Sequence, residues 1–241
     1  MPQFFINSTA IRDDLCRING EEFHHMARVR RVHPGETVLL VDENRIRYTC
    51  SVESADNGCI VARVISRESA WHDFPDLTLC CSLLKGGHFD LVIQKAVELG
   101  VRRIFPVISE RTISHPEGKE GKHDRWERIA KEAAKQCMRA EIPVIEPIVR
   151  ITELLNMQPD AVRIMGHPEG EDSFRDILKG KKGLPVLLLV GPEGGFSAAE
   201  RDMARSTGWH LCRFGITHLR AETAAIALSA IVFYELIEET C

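Results

Sequence analysis

Hydrophobic and polar residues alternate along the first part of the chain in the manner of half-buried β-strands. Three strand-like runs follow one another, at residues 36–42, 45–52 and 59–65. A short helix is predicted before them, from Glu21 to about Arg30, because apolar side chains recur there at helical spacing. Residues 1–72 are therefore predicted to form a small barrel-like β domain, with a linker at Trp71–Pro75.

From Asp76 onwards, strand-like apolar runs alternate with helical patterns. Helices are predicted at His88–Leu99 and Asp124–Arg139, and a last helix runs from Glu222 to about Glu238. The strands are predicted at residues 77–84, 103–108, 144–149, 161–165, 186–190 and 209–214. Such alternation is typical of an α/β fold, so we expect residues 73–241 to form a parallel sheet with helices on both faces.

The most apolar of these strands ends in a glycine-rich turn. Val186–Val190 carries no polar residue, and the turn follows it directly. Ser197 and Glu200 then have the spacing of a capping box, which begins a helix. Because glycine lets the backbone bend sharply and lets a ligand approach closely, a bound ligand is predicted to contact Val190, Gly191, Pro192, Glu193, Gly194 and Gly195. A tight strand-to-helix turn without a ligand remains the alternative.

The charge and spacing of this turn limit what it can bind. No lysine or arginine lies between Val186 and Glu200, and a carboxylate, Glu193, occupies the middle of the turn. The turn lacks the Gly-Lys-Ser/Thr of a phosphate-binding loop and the glycine spacing of a dinucleotide-binding loop. These features favour a neutral or cationic ligand held by main-chain groups, and they argue against a nucleotide-binding metabolic enzyme.

Two further turns follow predicted strands, and in a parallel sheet the carboxyl ends of the strands meet at one edge. Residues from both turns are predicted to join the same ligand site: Met165, His167, Phe214, Gly215, Leu219, Arg220, Glu222, Thr223 and Ala224. Thr223 is also expected to cap the last helix. Two alternatives stay open: an Arg220–Glu222 pair that serves only as a helix cap, and a turn histidine at His167 with no further role.

The distribution of charge is uneven along the chain. The net charge is −4 at pH 7, yet residues 102–139 contain ten basic and six acidic side chains. A basic island in an acidic protein suits a local contact with phosphate better than extensive wrapping of nucleic acid. The residues predicted to contact a nucleic-acid substrate are His24, His25, Arg28, Arg30, Arg31, Arg111, Gln136 and Arg139. Ordinary solvated helix faces remain the alternative.

The cysteines and the apolar stretches bear on the compartment. The eight cysteines form no Cys-x-x-Cys pair and no Cys/His ladder, so no metal site is expected. The first residues lack the basic start and long apolar core of a signal peptide. The longest apolar stretch, residues 224–237, is interrupted and too short to span a bilayer. We therefore expect a cytoplasmic protein with reduced thiols and no membrane partner.

Two segments resemble a known family. Leu189-Val-Gly-Pro-Glu-Gly-Gly-Phe-Ser-x-x-Glu200 and Leu219-Arg-Ala-Glu-Thr-Ala224, in that order, closely resemble the signature loops of SPOUT-class RNA methyltransferases. More narrowly, the chain resembles the RsmE family, which methylates N3 of a uridine in small-subunit (16S) ribosomal RNA. Further matching stretches are His24–Arg30, Ile93–Gly100, Ser109–Arg111 and Glu132–Arg139, so the resemblance spans nearly the whole chain.

The resemblance implies a fold and an assembly. The expected fold is an RNA-binding N-terminal PUA-like barrel and a C-terminal SPOUT domain with a trefoil knot. The expected assembly is a homodimer that acts on the small (30S) ribosomal subunit, with S-adenosylmethionine bound in the knot beside the partner chain. The final helix is apolar on nearly every side, so we expect it to pack against that partner.

The resemblance also implies roles for single residues. The ligand site described above becomes the S-adenosylmethionine site, and Arg220 and Glu222 become the expected catalytic residues. Arg220 would orient the uracil and stabilise its developing negative charge, while Glu222, His218 and water stay open as the general base. The chain departs from the family at Thr217, where a basic residue is usual.

Two other functions stay open at this point. The chain could be a SPOUT enzyme that methylates transfer RNA or a ribose 2'-hydroxyl, which nucleoside analysis of RNA from a deletion strain would reveal. It could also be a non-catalytic RNA-binding or ribosome-assembly factor, which a lack of S-adenosylmethionine binding would favour.

Overall fold

The computed structural model describes residues 1–56, 58–70, 74–113, 121–158, 160–215 and 217–237. The chain divides into two compact units, and each is described by itself. The first consists of Met1–Asp73 together with Ala134–Glu141, and the second of Phe74–Ala133 together with Ile142–Cys241. Most of the predicted linker, residues 71–73, lies outside the described residues, as does Glu238 at the predicted end of the last helix.

The first unit is built on a six-stranded sheet. Its strands are β1 (Gln3–Phe5), β2 (Ile11–Arg12), β3 (Leu15–Ile18), β4 (Thr37–Val41), β5 (Ile46–Asp56) and β6 (Cys59–Ser69), in the spatial order β1-β4-β5-β6-β3-β2. The pair of β1 and β4 is parallel, and every other pair is antiparallel. Apolar side chains from alternate positions fill the interior, among them Phe4, Leu40, Cys50 and Ile60.

The predicted helix at 21–30 has an unexpected form. It begins as α1 (Gly20–His24) and continues directly into a π-helical turn, His25–Val29. The wider turn directs Met26 into the core, where its side chain is completely buried. The polar side chains of the segment stay on the surface: His24, Arg28, Arg30 and Arg31 are exposed, and His25 is half-buried.

The segment Ala134–Glu141 completes this unit with buried polar contacts. The Lys135 ammonium lies 3.1 Å from a Glu22 carboxylate oxygen and donates to Nδ1 of His25 at 2.9 Å. Gln3 donates to the backbone carbonyl of Arg139 at 2.6 Å. The Arg139 residue is only 4% exposed. Arg139 is therefore buried in this structure, whereas the sequence pattern suggested a solvated helix face, and its contact with RNA stays a prediction.

The described residues of the second unit contain seven strands that all pair in parallel. They are β7 (Leu77–Ser82), β8 (Arg103–Ile108), β9 (Val144–Ile145), β10 (Val149–Arg150), β11 (Val162–Gly166), β12 (Val186–Val190) and β13 (His210–Cys212). The spatial order is β10-β8-β7-β12-β11-β13, and β9 also pairs with β8. Every residue of the two central strands, β7 and β12, is buried, as the uninterrupted apolar sequence of β12 predicts.

Helices surround this sheet. They are α2 (His88–Leu99), α3 (Lys122–Gln136), α4 (Ile151–Leu154), α5 (Phe174–Leu178), α6 (Ala198–Ser206) and α7 (Ala221–Leu236). The last helix returns from the edge strand β13 and packs against β7, β12 and α2. No helix in the described ranges has the length and apolar character needed to cross a bilayer.

The structure confirms most of the predicted elements and corrects some. The predicted bounds of α2 and β8 are those observed. The single strand predicted at 144–149 is wrong, because two short strands flank Pro147, which has no N–H for a ladder hydrogen bond. The run at 209–214 pairs only over His210–Cys212, and α3 ends at Gln136 rather than Arg139.

Candidate active site

The loops that follow β11, β12 and β13 line one cavity of about 800 Å³ in the second unit. These strands are parallel neighbours, so their carboxyl ends open onto the same edge of the sheet. The predicted site residues that line the cavity are Arg111, His167, Val190, Gly191, Pro192, Glu193, Gly194, Gly195, Phe214, Gly215, Leu219, Arg220, Glu222 and Ala224. Two predicted residues, Met165 and Thr223, do not line it.

The turn after β12 is packed too closely for larger residues. A Cβ atom on Gly191 would lie 3.0 Å from the Phe196 ring, and one on Gly194 would lie 3.3 Å from Cβ of Arg111. Gly195 has a φ of 65°, which favours glycine. Glu193 lies in this turn, and its carboxylate accepts a hydrogen bond from the backbone N–H of Lys85 at 3.1 Å. The turn therefore presents main-chain groups and one anchored carboxylate to the cavity.

The predicted capping box is present at the start of α6, and it has a second role. Ser197 and Glu200 make both reciprocal hydrogen bonds of the box. The Glu200 carboxylate also accepts the backbone N–H of Glu110 at 2.7 Å. In the same turn as Glu110, Arg111 donates to the carbonyl of Gly194 at 2.9 Å. Glu200 thus links the turn after β8 to the glycine-rich turn, and Arg111 faces the cavity.

The turn after β11 holds His167 in a defined orientation. Its backbone N–H donates to the carbonyl of Cys212 at 3.0 Å, and Nδ1 accepts the backbone N–H of Glu169 at 3.1 Å. Burial, reinforced by the positive charge of Arg201, lowers the pKa of His167. A neutral ring that accepts at Nδ1 carries its proton at Nε2, so His167 can donate a hydrogen bond to a ligand. Met165, in contrast, is completely buried in the core of the sheet.

The loop after β13 leads into α7 and is exposed where it is described. Arg220 is the N-cap residue of α7, with no side-chain capping bond, so the prediction that Thr223 caps this helix is wrong. Glu222, in the first turn, places Oε1 at 3.4 Å from Nδ1 of His88. Phe214 and Leu219 expose apolar surface beside the cavity. The cavity therefore combines an arginine, a carboxylate–imidazole pair and apolar side chains.

Glu193 and Glu222 come from distant parts of the sequence, yet they act on the same buried atom. Cys81 lies near the carboxyl end of β7, and burial raises the pKa of its thiol. The negative charges of Glu193 and Glu222 raise this pKa further. The turn that contains Glu193 follows β12, and the one that contains Glu222 follows β13. Both of them nevertheless approach the carboxyl end of β7.

Several cavity residues were absent from the predicted site, among them His88, Arg201 and Leu228. His88 is the first residue of α2, and it follows β7 through the short loop Lys85-Gly-Gly. The sequence could have indicated His88, because it follows a predicted parallel strand and its loop, and ligands bind at the carboxyl ends of such strands. Leu228 lies on the helix that the sequence analysis assigned to packing, and its cavity contact requires the three-dimensional position of α7.

The remaining predicted substrate contacts lie in the first unit. His24, Arg28, Arg30 and Arg31 form an exposed group, which we call the basic patch. Gln136, at the end of α3, is also exposed. The three exposed arginines give the basic patch the character of a surface that attracts phosphate.

Comparison with known proteins is consistent across sequence and structure. A model of the RNA methyltransferase domain matches residues 72–233, and one of the RNA methyltransferase PUA domain matches residues 18–65. Ribosomal RNA small subunit methyltransferase E of Aquifex aeolicus is 31% identical over 224 residues, which are 92% of this chain and 95% of that protein. The protein of the same name from Bacillus subtilis is 30% identical over 227 residues, with 90% and 89% covered.

The chain belongs to the ribosomal RNA small subunit methyltransferase E family. It is therefore an RNA methyltransferase whose first unit carries a PUA domain, and both predictions are confirmed. A solved structure of a family member from Neisseria gonorrhoeae, bound to S-adenosyl methionine, matches with a TM-score of 0.89 at 27% identity and covers 98% of both chains. The residues matched by the RNA methyltransferase model include all three turns that line the cavity.

Proposed function

We propose that the chain transfers a methyl group from S-adenosylmethionine to N3 of a uridine in small-subunit ribosomal RNA. The observation that carries this proposal is that Glu193 and Arg220, from two distant turns, line one cavity. Family membership supplies the class of reaction and substrate. The chemistry of the cavity is compatible with both, as the following features indicate.

The cavity residues fit S-adenosylmethionine. A volume of about 800 Å³ lies in the range typical of small-molecule sites. At Gly191 and Gly194 a Cβ atom would be tightly crowded by Phe196 and Arg111, so a ligand meets bare backbone there. The turn after β12 offers no basic side chain for a phosphate, and Glu193 suits a cationic sulfonium. We infer that main-chain groups of residues 190–195, 214–215 and 219, with His167 and Ala224, hold the cofactor.

The protein residues have to align the base and manage its charge. When bound, S-adenosylmethionine supplies an electrophilic methyl carbon, whose bond to sulfur breaks as the bond to N3 forms. The cavity must hold N3 in line with that carbon at near-attack distance. Arg220 would orient the uracil through its carbonyl oxygens and stabilise the negative charge that develops when N3 loses its proton. Glu222 lies two residues further along the chain and would assist removal of that proton.

We infer that RNA is held by charge on the first unit. The basic patch of His24, Arg28, Arg30 and Arg31 is exposed, as is Gln136. Contacts of arginine with phosphate give affinity without reading sequence, and they weaken with salt. Arg111, whose guanidinium faces the cavity, is better placed to contact the target nucleotide itself.

We infer further that the protein acts as a homodimer in the cytoplasm. The outer side of α7 carries a continuous apolar stripe of half-buried or exposed side chains, formed by Ile226, Ala230, Ile231, Tyr234 and Ile237. Exposed apolar stripes of this kind are typical of protein interfaces. The return of α7 from β13 to the central strands also supports the threaded, knotted backbone that the family implies.

The decisive experiment supplies the protein with labelled S-adenosylmethionine and small ribosomal subunits from a strain that lacks the enzyme. The label should appear on one uridine of the ribosomal RNA, as N3-methyluridine after nucleoside digestion. Label on a ribose hydroxyl or on added transfer RNA would replace the proposed substrate with another. No label, together with no binding of S-adenosylmethionine, would instead indicate a non-catalytic RNA-binding factor.

A further inference from the structure

Methylation of uracil N3 requires a group that accepts the N3 proton, and the cavity contains several titratable side chains. We propose that His88 is this general base and that Glu222 is the positioning residue that orients its imidazole. This inference rests on the proposed function and identifies a residue within it. It assigns a catalytic role to a side chain of α2, outside the two signature turns.

The geometry of the pair is that of an oriented imidazole. Nδ1 of His88 lies 3.4 Å from Oε1 of Glu222. The Glu222 side chain is only 12% exposed, whereas that of His88 is 45% exposed and lines the cavity. A carboxylate facing Nδ1 stabilises the tautomer with its proton on Nδ1, which leaves the lone pair of Nε2 on the far edge of the ring. Catalytic contacts of this kind are often long before substrate binds.

Three other titratable groups of the cavity are less suitable as bases. His167 accepts a hydrogen bond at Nδ1 and carries its proton at Nε2, so it faces a ligand as a donor. Glu193 is anchored by the backbone N–H of Lys85. His218 lies on an exposed loop, and the described residues offer it no hydrogen-bonding partner that would orient it. Among the described residues, His88 is the cavity histidine that faces a carboxylate with one ring nitrogen, and its side chain is partly exposed.

The surrounding charges are consistent with this role. Arg220 and Arg111 line the same cavity and would favour a deprotonated, anionic uracil. The carboxylate of Glu222 stabilises the imidazolium once the proton has moved. Other charged groups of the described residues in this region are Lys85 and Asp90 from the same segment as His88, with Asp90 paired to Arg125 of α3, and Glu193, which accepts the backbone N–H of Lys85.

The step balances without a further reactant. The N3–H proton passes to Nε2 of His88, and the electron pair left on N3 forms the new bond to the methyl carbon. The bond from that carbon to sulfur breaks, and its electron pair remains on sulfur, which becomes a neutral thioether. The imidazolium then releases its proton to solvent, to which the exposed ring has access.

The test compares His88→Gln with a matched control, His210→Gln. His210 is also 45% exposed, and its Nδ1 lies 3.7 Å from a carboxylate oxygen of Asp172, but neither residue lines the cavity. We expect His88→Gln to lower the single-turnover rate by about 10²- to 10⁴-fold at saturating S-adenosylmethionine. The affinity for S-adenosylmethionine should stay within a few-fold, and His210→Gln should retain the wild-type rate.

The pH dependence and the tautomer provide independent measurements. The wild-type rate should fall toward acid pH, because a protonated imidazole accepts no proton, and His88→Gln should lack this limb. Added imidazole should partly restore His88→Ala, which shows that the variant is folded. In ¹⁵N spectra of the wild type, His88 should carry its proton on Nδ1, and Glu222→Ala should shift the tautomer toward Nε2.

The outcomes separate the two proposals. A wild-type rate and pH profile in His88→Gln would remove His88 from the mechanism while leaving the methyltransferase function intact. A Nε2 proton on His88 in the wild type would also contradict the proposed orientation. A wild-type protein that binds S-adenosylmethionine but methylates no uridine would overturn the proposed function, and this inference with it.

Discussion

Replacement of Glu200 by alanine should destabilise the second unit far more than replacement of an exposed residue of the same helix, α6. The Glu200 residue is only 7% exposed. Its carboxylate accepts the backbone N–H of Glu110 at 2.7 Å and that of Ser197 at 2.8 Å. Alanine removes both acceptors at once and leaves two N–H groups without their partner.

The expected magnitude follows from these two bonds. A hydrogen bond to a charged group contributes about 1.5–3 kcal/mol, so the loss of both should lower the free energy of unfolding by about 3–6 kcal/mol. Such a loss is a large part of the total stability of a typical domain, about 5–15 kcal/mol. Glu200→Gln, which keeps one acceptor oxygen but no charge, should fall between alanine and wild type.

Asp202→Ala on the same helix is the matched control. Its carboxylate is exposed and lies 3.3 Å from Arg205, which is a surface ion pair that contributes about 0–1 kcal/mol. Urea unfolding followed by tryptophan fluorescence is suitable, because Trp126 and Trp209 are buried in the second unit. A loss in Glu200→Ala within about 1 kcal/mol of the loss in Asp202→Ala would refute the reasoning about the buried carboxylate.

Four further predictions follow from single observations. Gly170→Ala should lower the melting temperature strongly, because its Cβ would lie 2.5 Å from the backbone of Cys212; an unchanged melting curve would contradict the packing. Arg220→Ala should reduce turnover by about 10²- to 10³-fold while calorimetry shows affinity for S-adenosylmethionine within a few-fold; unchanged turnover would remove Arg220 from the mechanism. Tyr234→Asp should halve the mass measured by light scattering if α7 forms the dimer interface, and a wild-type mass would exclude that interface. The free energy of unfolding should fall above about pH 9, since the unfolded chain loses thiol protons that the folded chain keeps; a stability unchanged to pH 11 would refute this. Burial raises the pKa of several thiols from 9.0, among them those of Cys16, Cys50 and Cys212, to about 12, 11 and 12 respectively.

Much of the α/β unit could be predicted because its elements have strong local signals. The apolar run of β12, the glycine-rich turn and the capping box of α6 are each observed where the sequence places them. The strand predicted at 144–149 was wrong because an apolar run does not show how Pro147 divides the pairing. The strands β1 to β3 were missed because they have two to four residues each, too few to show a period.

The sequence was a weaker guide wherever a side chain depends on distant neighbours. Arginine is usually a surface residue, yet Arg139 is only 4% exposed, and its backbone carbonyl accepts a hydrogen bond from Gln3, which lies far away in the sequence. Met165 directly precedes a cavity turn, but strand alternation directs it into the core. His88 was predicted only as the start of a helix, because its pairing with Glu222 joins residues that are far apart in sequence. Local patterns do not contain such contacts.

The strand order explains why His88 and the glycine-rich turn share one site. From β7 the chain proceeds outward through β8 to β10, and on the other side β12, β11 and β13 lie beside one another. The order of the sheet therefore reverses between β7 and β12, and ligands of open parallel sheets bind at the carboxyl ends where this reversal occurs. His88 follows β7 and Gly191 follows β12, so the reversal places both at one crevice. The position of His88 at this crevice, on which its proposed catalytic role depends, is thus a consequence of the strand order. The sequence alone does not give that order.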